Sequence, residues 1–224
     1  MANHLDLEEQ EQLDQLKHFW KQYGAAITWA LIVILGGYAG WNGYQVWQRN
    51  QSVQAAALYD ELDRVLRASD VARVDRAFAD MQERYGRTSY AGQAGLLVAR
   101  HHFEAGRVDA SKAALTWVVE KASDPGIQAI ARLRLASILA HTKSYDDALK
   151  LLDGPFPASF AALAADRKGD VLALQARPSQ AVAAWDKAYQ ALDARSDYRR
   201  LVEVKLNAHG AQAKPSGADI KGAP

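Results

Sequence analysis

The chain has 224 residues, of which 49% are hydrophobic and 24% are charged, and its formal net charge is +1. So small a positive charge excludes the strongly basic footprint of a nucleic-acid-binding domain. The absence of cysteine excludes disulfides, thiolate metal sites and cysteine nucleophiles, and it is compatible with an oxidising compartment such as a bacterial periplasm.

Residues 1–21 form a short acidic head, and residues 22–48 follow without one charged side chain. About twenty mostly apolar residues let one helix cross the hydrocarbon core of a bilayer. A cleaved signal peptide is the alternative interpretation. The acidic start, the length of the apolar run and the poor cleavage site at Gly37-Tyr38-Ala39 favour a retained membrane anchor. Aromatic residues near both ends resemble the belts at membrane interfaces: Trp20, Tyr23, Trp41, Tyr44 and Trp47.

The orientation of this anchor is left open by the charge pattern. Lys17 and Lys21 precede it, while Arg49, Arg64 and Arg67 follow within about twenty residues, so the positive-inside count is nearly balanced.

Small residues lie along the anchor at helical spacing. Gly36 and Gly40 form a GxxxG pair, and Ala39 and Gly43 repeat the spacing beside it. Such a strip lets a second membrane helix dock closely, and Asn42 adds a polar group that prefers a partner in lipid. Because this spacing also arises by chance, docking through Gly36, Gly40 and Gly43 is a hypothesis.

The body of the chain, residues 49–208, is predicted to be all helical, and residues 209–224 are predicted to be a disordered tail. Alanine and leucine are abundant, and turn signals recur every 12–18 residues. Asp124-Pro125 is typical of a helix start, as is Pro178, whereas Gly106 and the segment 154–157 are typical of helix ends. The predicted helices lie near 51–68, 71–84, 90–104, 108–121, 126–141, 145–153, 159–175, 179–193 and 197–208.

These helices are predicted to stack in pairs. A small residue opens the second helix of three successive pairs, at Ser111, Ala148 and Ala181, with intervals of 37 and 33 residues. A period near 34 with small residues at helix crossings is typical of tetratricopeptide repeats. In such an array each pair buries the apolar face that its neighbour leaves exposed. A plain bundle of alanine-rich helices is the alternative.

Enzymatic chemistry is not expected. The sequence contains no HExxH, no glycine-rich phosphate loop and no GxSxG. His101 and His102 are adjacent, so on a helix they point about 100° apart and cannot chelate one metal as an i, i+4 pair could. We therefore predict no catalytic residue, no metal site and no cofactor.

Basic residues on the first helices of two pairs are candidates for partner binding. Arg132, Arg134, Arg167 and Lys168 would lie on the concave face, where arrays of this kind bind extended peptides. The alternative is that these side chains form exposed faces and local ion pairs with Asp166 and Asp170.

Several short segments together resemble the YfgM family of ancillary SecYEG translocon subunits. The resemblance covers nearly all of residues 1–208. It is carried by Gly40-Trp41, Tyr90-Ala91, Arg132-Leu133-Arg134-Leu135-Ala136, Asp166-Arg167-Lys168-Gly169-Asp170, Ala184-Trp185 and Lys205-Leu206-Asn207.

The resemblance implies a single-pass protein of the bacterial inner membrane, with a cytoplasmic N-terminus and a tetratricopeptide-like domain in the periplasm. It also implies association with SecYEG and with a membrane-anchored periplasmic chaperone of the PpiD type. The implied role is to pass newly translocated polypeptides to periplasmic chaperones. A structural scaffold for another cell-envelope assembly is the alternative function.

Overall fold

The computed structural model describes residues 7–68 and 70–212, with side chains from residue 13 onward. All elements in these ranges are helical, as the sequence predicts. A 3-10 turn, Ala158–Phe160, precedes the seventh of the α-helices. The α-helices of the described ranges are α1 (Leu7–Arg67), α2 (Val71–Tyr85), α3 (Ser89–Glu104), α4 (Val108–Lys121), α5 (Pro125–His141), α6 (Tyr145–Leu152), α7 (Ala161–Leu174), α8 (Pro178–Ala191) and α9 (Asp197–Ala208).

The chain divides into two compact units, Met1–Gln51 and Ser52–Pro224. In the first unit, α1 contains the whole predicted anchor, and it is the one helix in the described part of the chain that is long and apolar enough to cross a membrane. Five consecutive aliphatic side chains, residues 31–35, are all more than half exposed. Five successive helical positions cover the full circumference, and a helix that is apolar all round is suited to lipid.

The predicted helix near 51–68 is not a separate element. It is the C-terminal part of α1, which passes through residues 49–51 without interruption. The sequence there, Arg49-Asn50-Gln51, contains no proline or glycine that would stop a helix, so the change from apolar to polar residues is not a helix boundary. Ala55 and Leu62 of α1 are fully buried in the core of the second unit.

Three connections between helices of the second unit are nearly identical turns. Each of these turns contains one residue in the left-handed region. These residues are Gly106 (φ 73°) between α3 and α4, Lys143 (φ 62°) between α5 and α6, and Ala176 (φ 57°) between α7 and α8. After each of these residues, the next N–H donates to a carbonyl five positions earlier, at 2.8–3.0 Å. This is the Schellman arrangement, which satisfies carbonyls that the helix end would otherwise leave without a donor.

The same turn occurs a fourth time, after α9. Gly210 has φ 72°, and the N–H of Ala211 donates to the carbonyl of Leu206 at 3.0 Å. The interval from Ala176 to Gly210 is 34 residues. The structure therefore places residues 209–211, the first residues of the predicted tail, in a hydrogen-bonded turn in repeat register. Residues 213–224 of the predicted tail lie outside the described residues.

Small residues at the helix crossings have the predicted role. Ser111, Ala148 and Ala181 each have an exposed fraction of 0%. One very close approach is at Gly169 of α7, where a Cβ atom would lie 2.5 Å from Cδ1 and Nε1 of Trp185. A contact that short is impossible, so only glycine lets the indole lie flat against the α7 backbone. The predicted repeat packing is confirmed.

Buried apolar side chains in the described ranges form a large cluster, a smaller one and a narrow bridge between them. The large cluster contains residues of all five helices from α1 through α5, such as Leu62, Phe78 and Leu115. The smaller cluster joins α7, α8 and α9 around Trp185. The bridge, which involves α5, α6 and α7, consists of three alanines with Leu152 and Val171.

The helix α6 is short because the chain cannot continue it. It has 8 residues, whereas α4 and α8, which hold the same place in the neighbouring pairs, have 14 each. Gly154 and Pro155 follow directly, and proline both lacks an N–H donor and disfavours helical geometry in the residue before it. The side of α7 next to the missing turns is left open.

A buried polar network fastens α9 to α7. Asp166, with an exposed fraction of 1%, accepts hydrogen bonds from the hydroxyl of Tyr198 at 2.6 Å and from Nζ of Lys205 at 2.8 and 2.9 Å. Nζ of Lys205 also lies 2.7 Å from Asp170, which accepts the indole N–H of Trp185 at 3.1 Å. Burial is the main cause, and the hydrogen bond to Asp166 the second, that raises the pKa of Tyr198 well above its usual value. The hydroxyl therefore stays protonated and remains a donor.

A second buried polar contact lies between α2 and α3. His102, with an exposed fraction of 3%, has Nε2 3.0 Å from a carboxylate oxygen of Asp75. Burial lowers the pKa of His102 and outweighs the nearby charge of Asp75, while Arg107 and His101 lower it further. The imidazole is therefore neutral at pH 7 and donates its Nε2–H to Asp75.

The substitution Lys205→Met is expected to lower the free energy of unfolding by about 3 kcal/mol, because it leaves the buried carboxylate of Asp166 without its cation. Arg200→Met is the matched control on the same helix. The Arg200–Asp197 pair is fully solvated and 3.8 Å long, so its loss should have no measurable effect. Thermal unfolding of the full chain in detergent micelles, followed by circular dichroism, compares the two. Equal effects would show that the network does not stabilise the fold.

The stability of the second unit is expected to fall as the pH drops below about 6.5, the ordinary histidine pKa. Since the pKa of His102 is lower in the folded chain, the unfolded chain binds more protons in this range, and acid therefore favours unfolding. His102→Gln keeps a donor for Asp75 but does not titrate. The decrease in melting temperature between pH 7.5 and pH 5 should be smaller in this variant; an unchanged decrease would contradict the assignment.

Candidate partner-binding surfaces

The glycines of the anchor form an open strip on α1. A Cβ atom built at Gly36, Gly40 or Gly43 would have no atom within 4 Å outside its own helix backbone and chain neighbours. Residues four and seven positions apart lie on one side of a helix, so the three glycines share a face. Nothing in the described first unit covers this face, and it can admit the backbone of another helix.

Aromatic residues flank this strip. Trp41, Tyr44 and Trp47 are all more than half exposed, and their rings form a ladder with centroids 6.4 and 6.0 Å apart. At the other end, Phe19 and Tyr23 have ring centroids 5.1 Å apart. Amphipathic rings in these positions suit the interfaces of a bilayer.

A cleft of about 460 Å³ lies between α3 and α5, the first helices of two successive pairs, and we call it the α3–α5 cleft. Its lining includes Phe103, Leu115 and Ile138, with Arg100 and Arg134 also contributing. Phe103 is 41% exposed, and its ring meets that of His141 edge-on, with centroids 6.1 Å apart. Phe103 does not stand out in the sequence, because a single exposed aromatic residue produces no periodic signal.

A second cleft, of about 540 Å³, lies where α6 ends early, beside α7 and α8. Alanines of both helices line it, together with Lys168 and Lys187. Lys168 forms an ion pair with Asp153 across this cleft. Its lining is more polar than that of the α3–α5 cleft.

The four basic residues predicted for partner binding do not line one common cleft. Arg134 lines the α3–α5 cleft, whereas Lys168 lines the second cleft. The Arg132 guanidinium donates to the carbonyl of Pro155 at 3.3 Å and holds the loop after α6. Arg167 lies 3.5 Å from Asp170, which is the local ion pair considered as the alternative. A role for these four residues in partner binding stays a prediction.

The run of residues 166–170 is mainly part of the fold. Asp166 pairs with Lys205 of α9, and Gly169 contacts Trp185. Sequence analysis noted both Asp166 and Lys205 without linking them, because an ion pair across 39 positions leaves no local pattern.

The histidines of the described ranges show no arrangement suited to a metal. His102 is buried and His101 is half-buried, and their ring centroids are 6.0 Å apart. Within the ranges that the structure describes, no three histidine or carboxylate side chains come close enough to bind one ion. The described surface includes an open membrane-helix face, the α3–α5 cleft and the second cleft, which are features suited to binding.

Comparison with known proteins gives a consistent assignment. A family described as a tetratricopeptide repeat-like domain matches residues 17–211. A protein of Neisseria gonorrhoeae named "Ancillary SecYEG translocon subunit" is 35% identical over 92% of this chain and 99% of its own length. Proteins of the same name from Haemophilus influenzae and Escherichia coli are 30% and 24% identical, over 90% and 89% of this chain and 97% and 95% of theirs.

No solved structure gives a significant match. The relatives align with the chain along almost its whole length, and the repeat-like match includes the turn at Gly210. The helix pairs are packed as the description of that family requires. Together with the sequence similarity, this shows that the chain belongs to the YfgM family of tetratricopeptide-repeat-like proteins.

Proposed function

We propose that this protein is a non-enzymatic, membrane-tethered interaction protein that associates with the SecYEG translocon in the bacterial inner membrane. The observation that carries this proposal is the nearly full-length similarity to relatives named ancillary SecYEG translocon subunits. A single apolar helix and a domain with binding clefts are the parts that such a role needs.

We further propose that the N-terminus is cytoplasmic and that the helical repeats lie in the periplasm. There they associate with a membrane-anchored chaperone of the PpiD type and help to pass newly translocated polypeptides to periplasmic chaperones. Tethering supports this role physically, because it raises the local concentration of the repeats at the exit of the translocon, and contacts that are individually weak are then sufficient.

The glycine strip is the proposed contact with the translocon within the membrane. Lipid tails are as apolar as leucine, so close packing rather than the hydrophobic effect favours helix association there. Gly36, Gly40 and Gly43 leave room for such packing.

The double substitution Gly36→Leu with Gly40→Leu is expected to reduce the recovery of SecYEG with the detergent-solubilised protein. Two leucine side chains fill the strip and keep a second backbone at a distance. The matched control is Ile34→Leu with Tyr38→Leu, since both residues are exposed on the same helix and point away from the glycines. SecYEG co-purification, quantified by mass spectrometry, should fall for the glycine variant alone.

Equal recovery from both variants would mean that the strip is not the contact. If the unsubstituted protein enriches SecYEG no more than an unrelated single-pass protein does, the translocon proposal fails. Enrichment of division or outer-membrane assembly proteins in its place would support the scaffold function.

The orientation can be tested without background labelling because the chain has no cysteine. We expect Ser179→Cys, at the exposed start of α8, to react with a membrane-impermeant maleimide in cells whose outer membrane alone is permeabilised. Gln15→Cys, in the head, should react only after the inner membrane is also disrupted. The reverse pattern would overturn the proposed orientation.

A further inference from the structure

We infer that the α3–α5 cleft binds one bulky apolar side chain of an extended polypeptide, with a carboxylate of the same polypeptide held at the cleft rim by arginine. This deepens the proposed function, on which it rests for the source of the polypeptide, by naming the chemical class of segment that the repeats receive.

The floor of the cleft is effectively apolar. Its two serine hydroxyls already donate to backbone carbonyls of the first helices: Ser111 to Ala99 at 2.6 Å and Ser137 to Leu133 at 2.8 Å. Neither hydroxyl therefore needs a polar ligand group as an acceptor for its proton. Leu115 and Ile138, both buried, complete the floor. A ligand gains most here by burying apolar surface.

Phe103 makes the cleft suited to an aromatic or large aliphatic side chain. It is the one exposed aromatic side chain in the described part of the second unit, and it stands at the edge of the cleft with His141 against its ring. Aromatic rings add specific edge or offset contacts to the energy of burial. An apolar ligand side chain would cover the exposed face of Phe103.

The volume of the cleft favours an extended segment over a helix. One turn of an α-helix with its side chains fills roughly 500 Å³, from a rise of 5.4 Å and a diameter of 10–12 Å. The cleft offers about 460 Å³, roughly the volume of one such turn, so it cannot enclose a helix of several turns. An extended chain can insert a side chain into this space while its backbone passes outside.

The charges at the rim favour an acidic neighbour in the ligand. Arg100 and Arg134 contribute to the lining, and none of its described residues is acidic. Arg100 forms an ion pair with Glu104. Arg134, by contrast, donates a hydrogen bond of 3.4 Å to the carbonyl of Leu96. That bond is long and to a neutral acceptor, so a ligand carboxylate is the better partner for Arg134.

The test measures peptide binding to the full chain in lipid nanodiscs, without SecYEG or a chaperone. The probes are short, fluorescein-labelled glycine–serine peptides with one central pair of residues: phenylalanine and aspartate, phenylalanine and asparagine, phenylalanine and lysine, or alanine and aspartate. Fluorescence anisotropy should rank the phenylalanine–aspartate peptide first. Transferred nuclear Overhauser effects should report an extended bound conformation.

Substitutions then assign the binding to the cleft. Phe103→Ala should weaken binding of the phenylalanine–aspartate peptide about tenfold, the usual effect of removing an aromatic anchor. Arg134→Gln should abolish the preference for aspartate over asparagine. Leu174→Ala is the control, because Leu174 is also exposed on a first helix but lies outside the cleft. Circular dichroism verifies that each variant is folded.

The inference is overturned if the peptides bind equally, if Leu174→Ala weakens binding as much as Phe103→Ala, or if the bound peptide is helical. Since neither SecYEG nor a chaperone takes part, failure here leaves the co-purification result unaffected. The proposed function and this binding site can therefore fail separately.

Discussion

Close approach between helix backbones is the constraint on which the described repeats depend. Each pair of helices can present its apolar face to the next pair only if nothing large lies at the crossing. Ser111, Ala148 and Ala181 meet this condition with no exposed surface, and Gly169 meets it so tightly that an indole occupies the place of its missing side chain. The left-handed turns set the spacing between crossings, and the two features together fix the stacking.

Much of this packing can be predicted from the sequence, because its causes are local. Capping residues, prolines and small residues at helical spacing act within one or two turns, and the observed helix ends agree with the predicted ones within a few residues from α2 onward. Two of the left-handed residues are less accessible to prediction. Lys143 and Ala176 are not glycine, and only the surrounding fold makes them adopt a conformation that disfavours a side chain.

The contacts that sequence reasoning could not supply are those between distant positions. Asp166 and Lys205 belong to recognisable segments, yet neither segment shows that the two side chains meet. The cleft beside Phe103 likewise requires α3, α4 and α5 together. The helix boundary predicted near residue 51 is absent for a different reason. The polarity of the sequence changes there, but its helix propensity does not, and α1 continues. A hydropathy pattern indicates whether a helix is surrounded by lipid, protein or water. The ends of the helix are determined by helix-terminating residues such as proline and glycine.

The early end of α6 has a consequence for how the repeats come apart. Because each pair in such an array is stabilised mainly by its neighbours, cooperativity is transmitted through the interfaces in sequence. At α6 the buried core narrows to three alanines, a leucine and a valine, with Tyr145 and Phe156 packed against them only partly buried, whereas the clusters on either side bury aromatic residues such as Phe78 and Trp185. We therefore expect the contacts around α6 to be the weakest link between the large cluster and the smaller one. Opening at this link would disrupt the second cleft, which Leu152 and Phe156 help to line, and would leave the α3–α5 cleft intact.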